Sequence, residues 1–251
     1  MSLLDDAART AGRVSPYAAV PFALSLLAVD NVVQTASTSG LELSVKFALP
    51  TAVPTLWTVF DPPSSGVSFV TPTSLSLLPV YLLVDAVLTA GYLGGIYDAA
   101  HDAVPDFGDN AATYAVPVLV VRVVEFLLVG ALALLAVDGG ASAAIILVPF
   151  VFVVGYLIWG APFLVVARDA DPVEAIAWSA SLATSDSQYV TFSVAFAVAT
   201  AVASLFVSPL LAEGGYVVVF VLAALAAYPA LVASAAAMHV IDGAAAPSRG
   251  A

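Results

Sequence analysis

Residues 215–240 read GYVVVFVLAALAAYPALVASAAAMHV, with no Asp, Glu, Lys or Arg among them. At a rise of about 1.5 Å per residue, a helix of roughly 20 such residues crosses the hydrocarbon core of a bilayer, about 30 Å thick. Working back along the chain, five more stretches qualify: about 15–36, 75–97, 111–137, 142–167 and 189–211. The breaks Asp138-Gly139-Gly140 and Glu213-Gly214-Gly215 divide what would otherwise be two overlong helices, so each joins antiparallel neighbours. Ser15-Pro16 opens the first span, with a hydroxyl suited to capping and a proline suited to the first turn. The sequence predicts an all-α fold: a polytopic transmembrane helix bundle of about six spans, forming one integral membrane domain over residues 1–251.

Composition agrees. Hydrophobic residues make up 62% of the chain and charged residues 10%, with a mean hydropathy of +1.05, which leaves no room for a separate soluble domain. Cys is absent, so disulfides and thiolate metal sites are excluded. Asp and Glu number 18 against 6 for Lys and Arg, which argues against nucleic acid as a partner. The acid-rich, Lys-poor usage reads as a halophilic, acidic protein from a cell with molar salt in its cytoplasm, where the Debye length shrinks to about 3 Å and dense carboxylates repel little. Asp5 and Asp6 near the start, and no Ala-x-Ala site behind a short apolar core, give the expectation that no secretory signal is removed.

Orientation follows Lys and Arg. With the N-terminus inside, Arg9, Arg13, Arg168 and Arg249 lie on the cytoplasmic side, Lys46 lies outside and Arg122 lies within a span. The expectation is a multi-pass protein of the cell membrane with both termini cytoplasmic. Residues 37–74 then form an outer loop. Within it, Leu41-Glu42-Leu43-Ser44-Val45-Lys46-Phe47 alternates apolar and polar, the period of a half-buried strand pairing with 67–70 across a turn at 61–66. This loop reads as a partly ordered cap on the outer helix ends, with Trp57 between Pro50, Pro54 and the interface.

Two inner stretches carry polar residues. Residues 98–110 hold Asp98, His101, Asp102, Asp106 and Asp109, oxygen donors of the type a hard cation takes. Pro105 and Gly108 interrupt any helical register, so a solvated acidic loop is the better reading and no metal site is assigned. In residues 169–188, Asp171-Pro172-Val173-Glu174 places a cap, a first-turn proline and an acid three residues after the cap. Val173, Ile176, Ala177 and Ala180 then share a face beside Trp178 and Leu182, which predicts an interfacial helix over 171–187 with Asp171, Glu174 and Trp178 as its marker residues. Residues 242–251 read as a flexible tail.

Three segments give the chain a familiar cast. Gly91-Tyr92-Leu93-Gly94-Gly95-Ile96-Tyr97 closes the second span ahead of Pro105-Asp106-Phe107. Ala161-Pro162-Phe163-Leu164-Val165-Val166-Ala167 ends the fourth, and 174–182 follows it. From about residue 75 onward this resembles the uncharacterised six-helix integral membrane families, of haloarchaeal type, related to the membrane domain of glycerophosphodiester phosphodiesterases. The resemblance implies a fold and a membrane location. It implies no phosphodiesterase activity, because no catalytic domain accompanies the spans.

Ionisable groups inside a span cost about 2.5–3.5 kcal/mol each on insertion scales. Asp85 in the second span and Arg122 and Glu125 in the third all fall near the bilayer midplane, and Arg122 and Glu125, three apart, share a helix face. This intramembrane cluster has two readings: a staple pinning span two to span three, or a proton or ion relay. Two acids and one base carry a net negative charge when fully ionised. His239, at the inner end of span six, reads as an interfacial hydrogen-bonding residue. Gly91 and Gly95, and Ala195, Ala199 and Ala203, recur four apart as helix-packing positions, while Pro149, Pro162, Pro209 and Pro229 read as kinks or ends.

No phosphate-binding Gly loop, His pair at metal spacing or nucleophile elbow is present, so no enzyme activity and no cofactor are assigned. The favoured function is a non-enzymatic membrane-organising or accessory protein in contact with membrane lipids and unidentified membrane-protein partners. The alternative is a small transporter or channel using Asp85, Arg122 and Glu125. A transporter needs a hydrated path from those residues to at least one surface, whereas a staple is sealed, so a water-filled cavity beside the three residues is the observation to look for.

Overall fold

The computed structural model describes residues 2–37, 45–62, 73–74, 76–138, 140–212 and 215–245. All regular structure among them is helical. Helix α1 (Leu3–Arg13) precedes a short 3-10 turn, Ser15–Ala18, that runs into α2 (Ala19–Leu27) and α3 (Val29–Ser37). A single turn, α4 (Leu56–Val59), stands in the long connection to α5 (Leu78–Ala100). Then come α6 (Phe107–Asp138), α7 (Gly140–Ile158), α8 (Ala161–Arg168), α9 (Pro172–Ser185), α10 (Ser187–Ala212) and α11 (Tyr216–Ala244).

Five of these are long and apolar enough to cross a membrane, with α7 and α8 counted together over Leu147–Arg168; a sixth span forms if the pair Ser15–Leu27 and Val29–Ser37, bent by 66° at Ala28, is one crossing. The protein is thus a multi-pass helical membrane bundle, as the sequence predicts. The expected strand pairing concerns 41–44 and 67–70, which lie outside the described residues together with most of its turn; 45–47 are irregular backbone.

Two features of the N-terminal region add to the sequence expectations. Ser2 and Asp5 form a reciprocal capping box at the start of α1, and the Ser2 hydroxyl holds the Asp5 carboxyl below its usual pKa. Ala7, Thr10 and Ala11 bury one face of this helix against α11 and α5, and Thr10 Oγ1 lies 3.0 Å from His239 Nε2. Arg13 donates to the Ala99 carbonyl at 2.8 Å and pairs with Asp102. Arg168 pairs with Asp242 at 2.9 Å, and His101 lies 3.3 Å from the other oxygen of that carboxylate. Both ends of the described chain therefore share one face with the α5–α6 and α8–α9 connections. Asp242 belongs to α11, which continues to Ala244, so 242–244 are helical and not part of a flexible tail; 246–251 lie outside the described residues.

The core sits where α5, α8 and α11 meet, around Tyr92, Leu93, Phe163, Leu164, Leu231 and Met238. The glycines of α5 make it possible. A Cβ on Gly91 would lie 2.7 Å from the Phe107 ring, and one on Gly95 would overlap Tyr17; those two rings meet edge-on at 5.5 Å. By contrast, Ala195 and Ala199 do not bring backbones together. They are exposed and line an apolar groove between α10 and α11. Pro162 starts α8, after the break at Trp159-Gly160, whereas Pro149, Pro209 and Pro229 sit inside continuous helices.

Candidate functional site

Asp85 and Arg122 face each other because α5 and α6 run antiparallel from the tight connection at 101–106, where Asp106 caps α6 by accepting from the Asp109 N–H at 3.0 Å. Arg122 Nε lies 3.1 Å from Asp85 Oδ2, an ion pair without the alignment of a hydrogen bond. Its Nη1 donates to Glu125 Oε2 at 2.9 Å, one turn along the same helix. The side chains of Asp85 and Arg122 are 12% and 14% exposed, that of Glu125 32%. The three residues singled out from the sequence thus form one contact cluster, in which Glu125 is the most accessible member. By helix rise, Asp85 stands about 10 Å from the start of α5, well inside the span.

What lies opposite the cluster departs from the expected cap. The segment 45–60 enters the bundle instead of covering its end. Ser234 Oγ donates to the Ala52 carbonyl at 3.1 Å, and Ser234 is about 15 Å from the C-terminal end of α11 by helix rise. Trp57, expected at the interface, is buried, with Nε1 donating to the Ser25 carbonyl at 2.6 Å. Irregular backbone at membrane depth is tolerated only where protein or a cavity supplies its hydrogen bonds. Here hydroxyls supply them. Lys46 N–H donates to Ser204 Oγ at 3.0 Å, Ala48 N–H to Thr200 Oγ1 at 3.1 Å and Leu56 N–H to Ser25 Oγ at 3.0 Å. Each of these hydroxyls donates in turn to a carbonyl of its own helix: Ala201, Ala197 and Pro21. The break between α7 and α8 uses the same device, with Gly160 N–H on Ser179 Oγ at 3.2 Å and Trp159 Nε1 on Ser193 Oγ at 3.1 Å.

Between this segment and the cluster lies a cavity of about 530 Å³. Asp85, Arg122 and Glu125 form part of its wall, with Tyr81 beside them; Lys46 and Thr51 face it from the entering segment, and Trp159 closes one side. Lys46 Nζ is held by Asp61 Oδ1 and the Trp57 carbonyl, both at 2.6 Å. Thr51 Oγ1 is buried without a hydrogen-bond partner. The site that sequence reasoning reached through charge alone therefore includes Lys46, Thr51, Tyr81 and Trp159. Hydroxyls recurring four apart in an Ala/Val/Phe span, Thr200, Ser204 and Ser208, were the available signal for the entering segment.

The remaining expected residues are dispersed. Asp171 caps α9, with Oδ1 accepting from Val173 N–H at 2.9 Å and Glu174 N–H at 3.1 Å. The face of α9 that packs inward is Ala175, Ser179, Leu182 and Ala183; Val173 and Ala177 point outward, while Ile176 and Trp178 are half-buried against the core. Glu174 is exposed. In the acidic stretch, Asp98 accepts from Asn110 Nδ2 at 2.6 Å and Asp102 is taken by Arg13. No group of three His, Cys, Asp or Glu side chains suited to a metal occurs among the described residues. Comparison of the chain with protein-family models, curated proteins and solved structures gave no match.

Proposed function

We propose that this chain is a small membrane transporter or channel whose solute site is the cavity bounded by Asp85, Arg122 and Glu125, in preference to the accessory role favoured from sequence. The observation that carries the reading is the cavity itself: a sealed staple has protein on all sides, and these charges border an open volume of about 530 Å³. That volume falls in the range of small-molecule sites, about 300–1,000 Å³. Two further features support it. The helix pair Ser15–Leu27 and Val29–Ser37 is bent by 66° at Ala28, and a non-helical segment reaches mid-bundle; interrupted backbone near the midplane is how many transporters build a solute site.

The face carrying α1 and the end of α11 is assigned to the cytoplasm, because Arg9, Arg13 and Arg168 cluster there. Val104→Cys on that face, 89% exposed, should resist an impermeant thiol reagent applied to intact cells, and Ser76→Cys at the opposite end should react. The reverse pattern inverts the topology. For the function, the triple variant Asp85→Leu, Arg122→Leu, Glu125→Leu should accumulate normally and lose flux of labelled small cations into proteoliposomes. Flux retained by that variant, or lost only in step with its abundance, would return the three residues to a structural role.

A further inference from the structure

We infer that the cavity takes a small organic cation, an ammonium head on a compact apolar body; this rests on reading the cavity as a solute site. Pairing decides the sign. The charged groups of the wall, Lys46, Asp85, Arg122 and Glu125, balance when ionised, and Asp61, outside the wall with its side chain 68% exposed, adds a carboxylate bound to Lys46. Neither cation is free for an anionic ligand. Arg122 is held by two carboxylates, and Lys46 by a carboxylate and a carbonyl. Glu125 spends one oxygen on Arg122 and is the most exposed of the three, which leaves it able to face a positive head.

The rest of the wall fits the remainder of such a ligand. Phe47, Trp57, Tyr81, Phe126, Phe152 and Trp159 all contribute to it, and aromatic faces attract alkylammonium groups within about 6 Å of the ring centroid. A bare divalent ion fits poorly, because it takes about six or more oxygen ligands and would lie beside the Arg122 guanidinium.

Tryptophan emission provides the test, since Trp57 and Trp159 line the cavity and Trp178 can be removed as Trp178→Phe. The purified full chain in detergent is titrated with benzyltrimethylammonium, with its neutral carbon isostere neopentylbenzene and with benzoate. Saturable quenching by the cation is expected. It should weaken about tenfold or more in Glu125→Gln and by less in Glu125→Asp, each variant first shown to melt as a folded protein. Equal quenching by the isostere, tighter binding of benzoate, an unchanged affinity in Glu125→Gln or no saturable response to any ammonium probe overturns the inference. Saturable cation binding without flux in proteoliposomes keeps the ligand class and overturns the transporter reading; saturable benzoate binding with flux does the reverse.

Discussion

At the face carrying both ends of the described chain, the pairs Arg13–Asp102 and Arg9–Asp6 stay open to solvent, while Arg168 and Asp242 are more enclosed, at 24% and 26% exposed. Arg13 and Asp102 are 47% and 79% exposed, and Arg9 and Asp6 are similarly open. In the interior, Arg122 meets two carboxylates while its side chain is only 14% exposed. The chemistry is the same and the energetics differ. An exposed pair contributes about 0–1 kcal/mol because water and salt compete for both partners. A buried pair gains little net stability over an apolar replacement, yet losing one partner costs about 3–5 kcal/mol because the other is left uncompensated. The interior charges are thus an expense that packing alone does not explain, and the cavity beside them is what distinguishes that region.

The largest expected effect tests this contrast directly. Arg122→Leu leaves Asp85 and Glu125 without their counter-charge and should lower stability by about 3–5 kcal/mol, moderated where a carboxyl takes up a proton. The triple apolar variant should recover most of that loss, since all three charges go together. Thermal melts in detergent measure both. A single variant as stable as wild type would show that the cluster is solvated through the cavity and gains little from the arginine.

The next effect concerns the hydroxyls that stand in for water along the entering segment. Ser25→Ala removes the acceptor of the Leu56 N–H in a buried setting. An orphaned buried donor costs about 1–3 kcal/mol. Ser204→Ala should act similarly through the Lys46 N–H and should also loosen that wall of the cavity. Hydrogen exchange at those two amides reports the change locally. Unaltered protection in both variants would mean that other groups satisfy this backbone.

How much of this was legible depended on whether a feature rests on local sequence or on what distant segments do together. Spans are decided by length and hydropathy, so five of the six stretches have their counterpart in helices long and apolar enough to cross, and the first has one if the bent pair Ser15–Leu27 and Val29–Ser37 is a single crossing. The cap at Asp171 was readable because capping is a matter of four consecutive residues. The charge cluster was readable because antiparallel neighbours with a short connection bring fixed depths together. The entering segment was not. Trp57 and its flanking prolines suit an interface as well as an interior, and only contacts some 150 residues away, such as Ala48 with Thr200, separate the two. Small residues misled for a related reason: Gly91 and Gly95 receive aromatic side chains, whereas Ala195 and Ala199 line a groove, and spacing alone does not say which.

The smallest expected effect is at the termini face, and salt sharpens it. Arg13→Ala removes an exposed ion pair with Asp102 and a hydrogen bond to the Ala99 carbonyl near the end of α5. The pair and the cation at a helix C-terminus each contribute at most about 1 kcal/mol at low ionic strength. At 1 M salt the Debye length falls from about 10 Å to about 3 Å, so most of the difference between Arg13→Ala and wild type should vanish. The cost of Arg122→Leu should persist, because a buried pair is screened much less. Melts of both variants at 0.1 M and 1 M salt therefore separate the two classes of charge in one experiment. If the Arg122 effect collapsed with salt as the Arg13 effect does, ions would be reaching the cluster through the cavity, and the interior pair would have to be treated as solvated like the pairs at the surface.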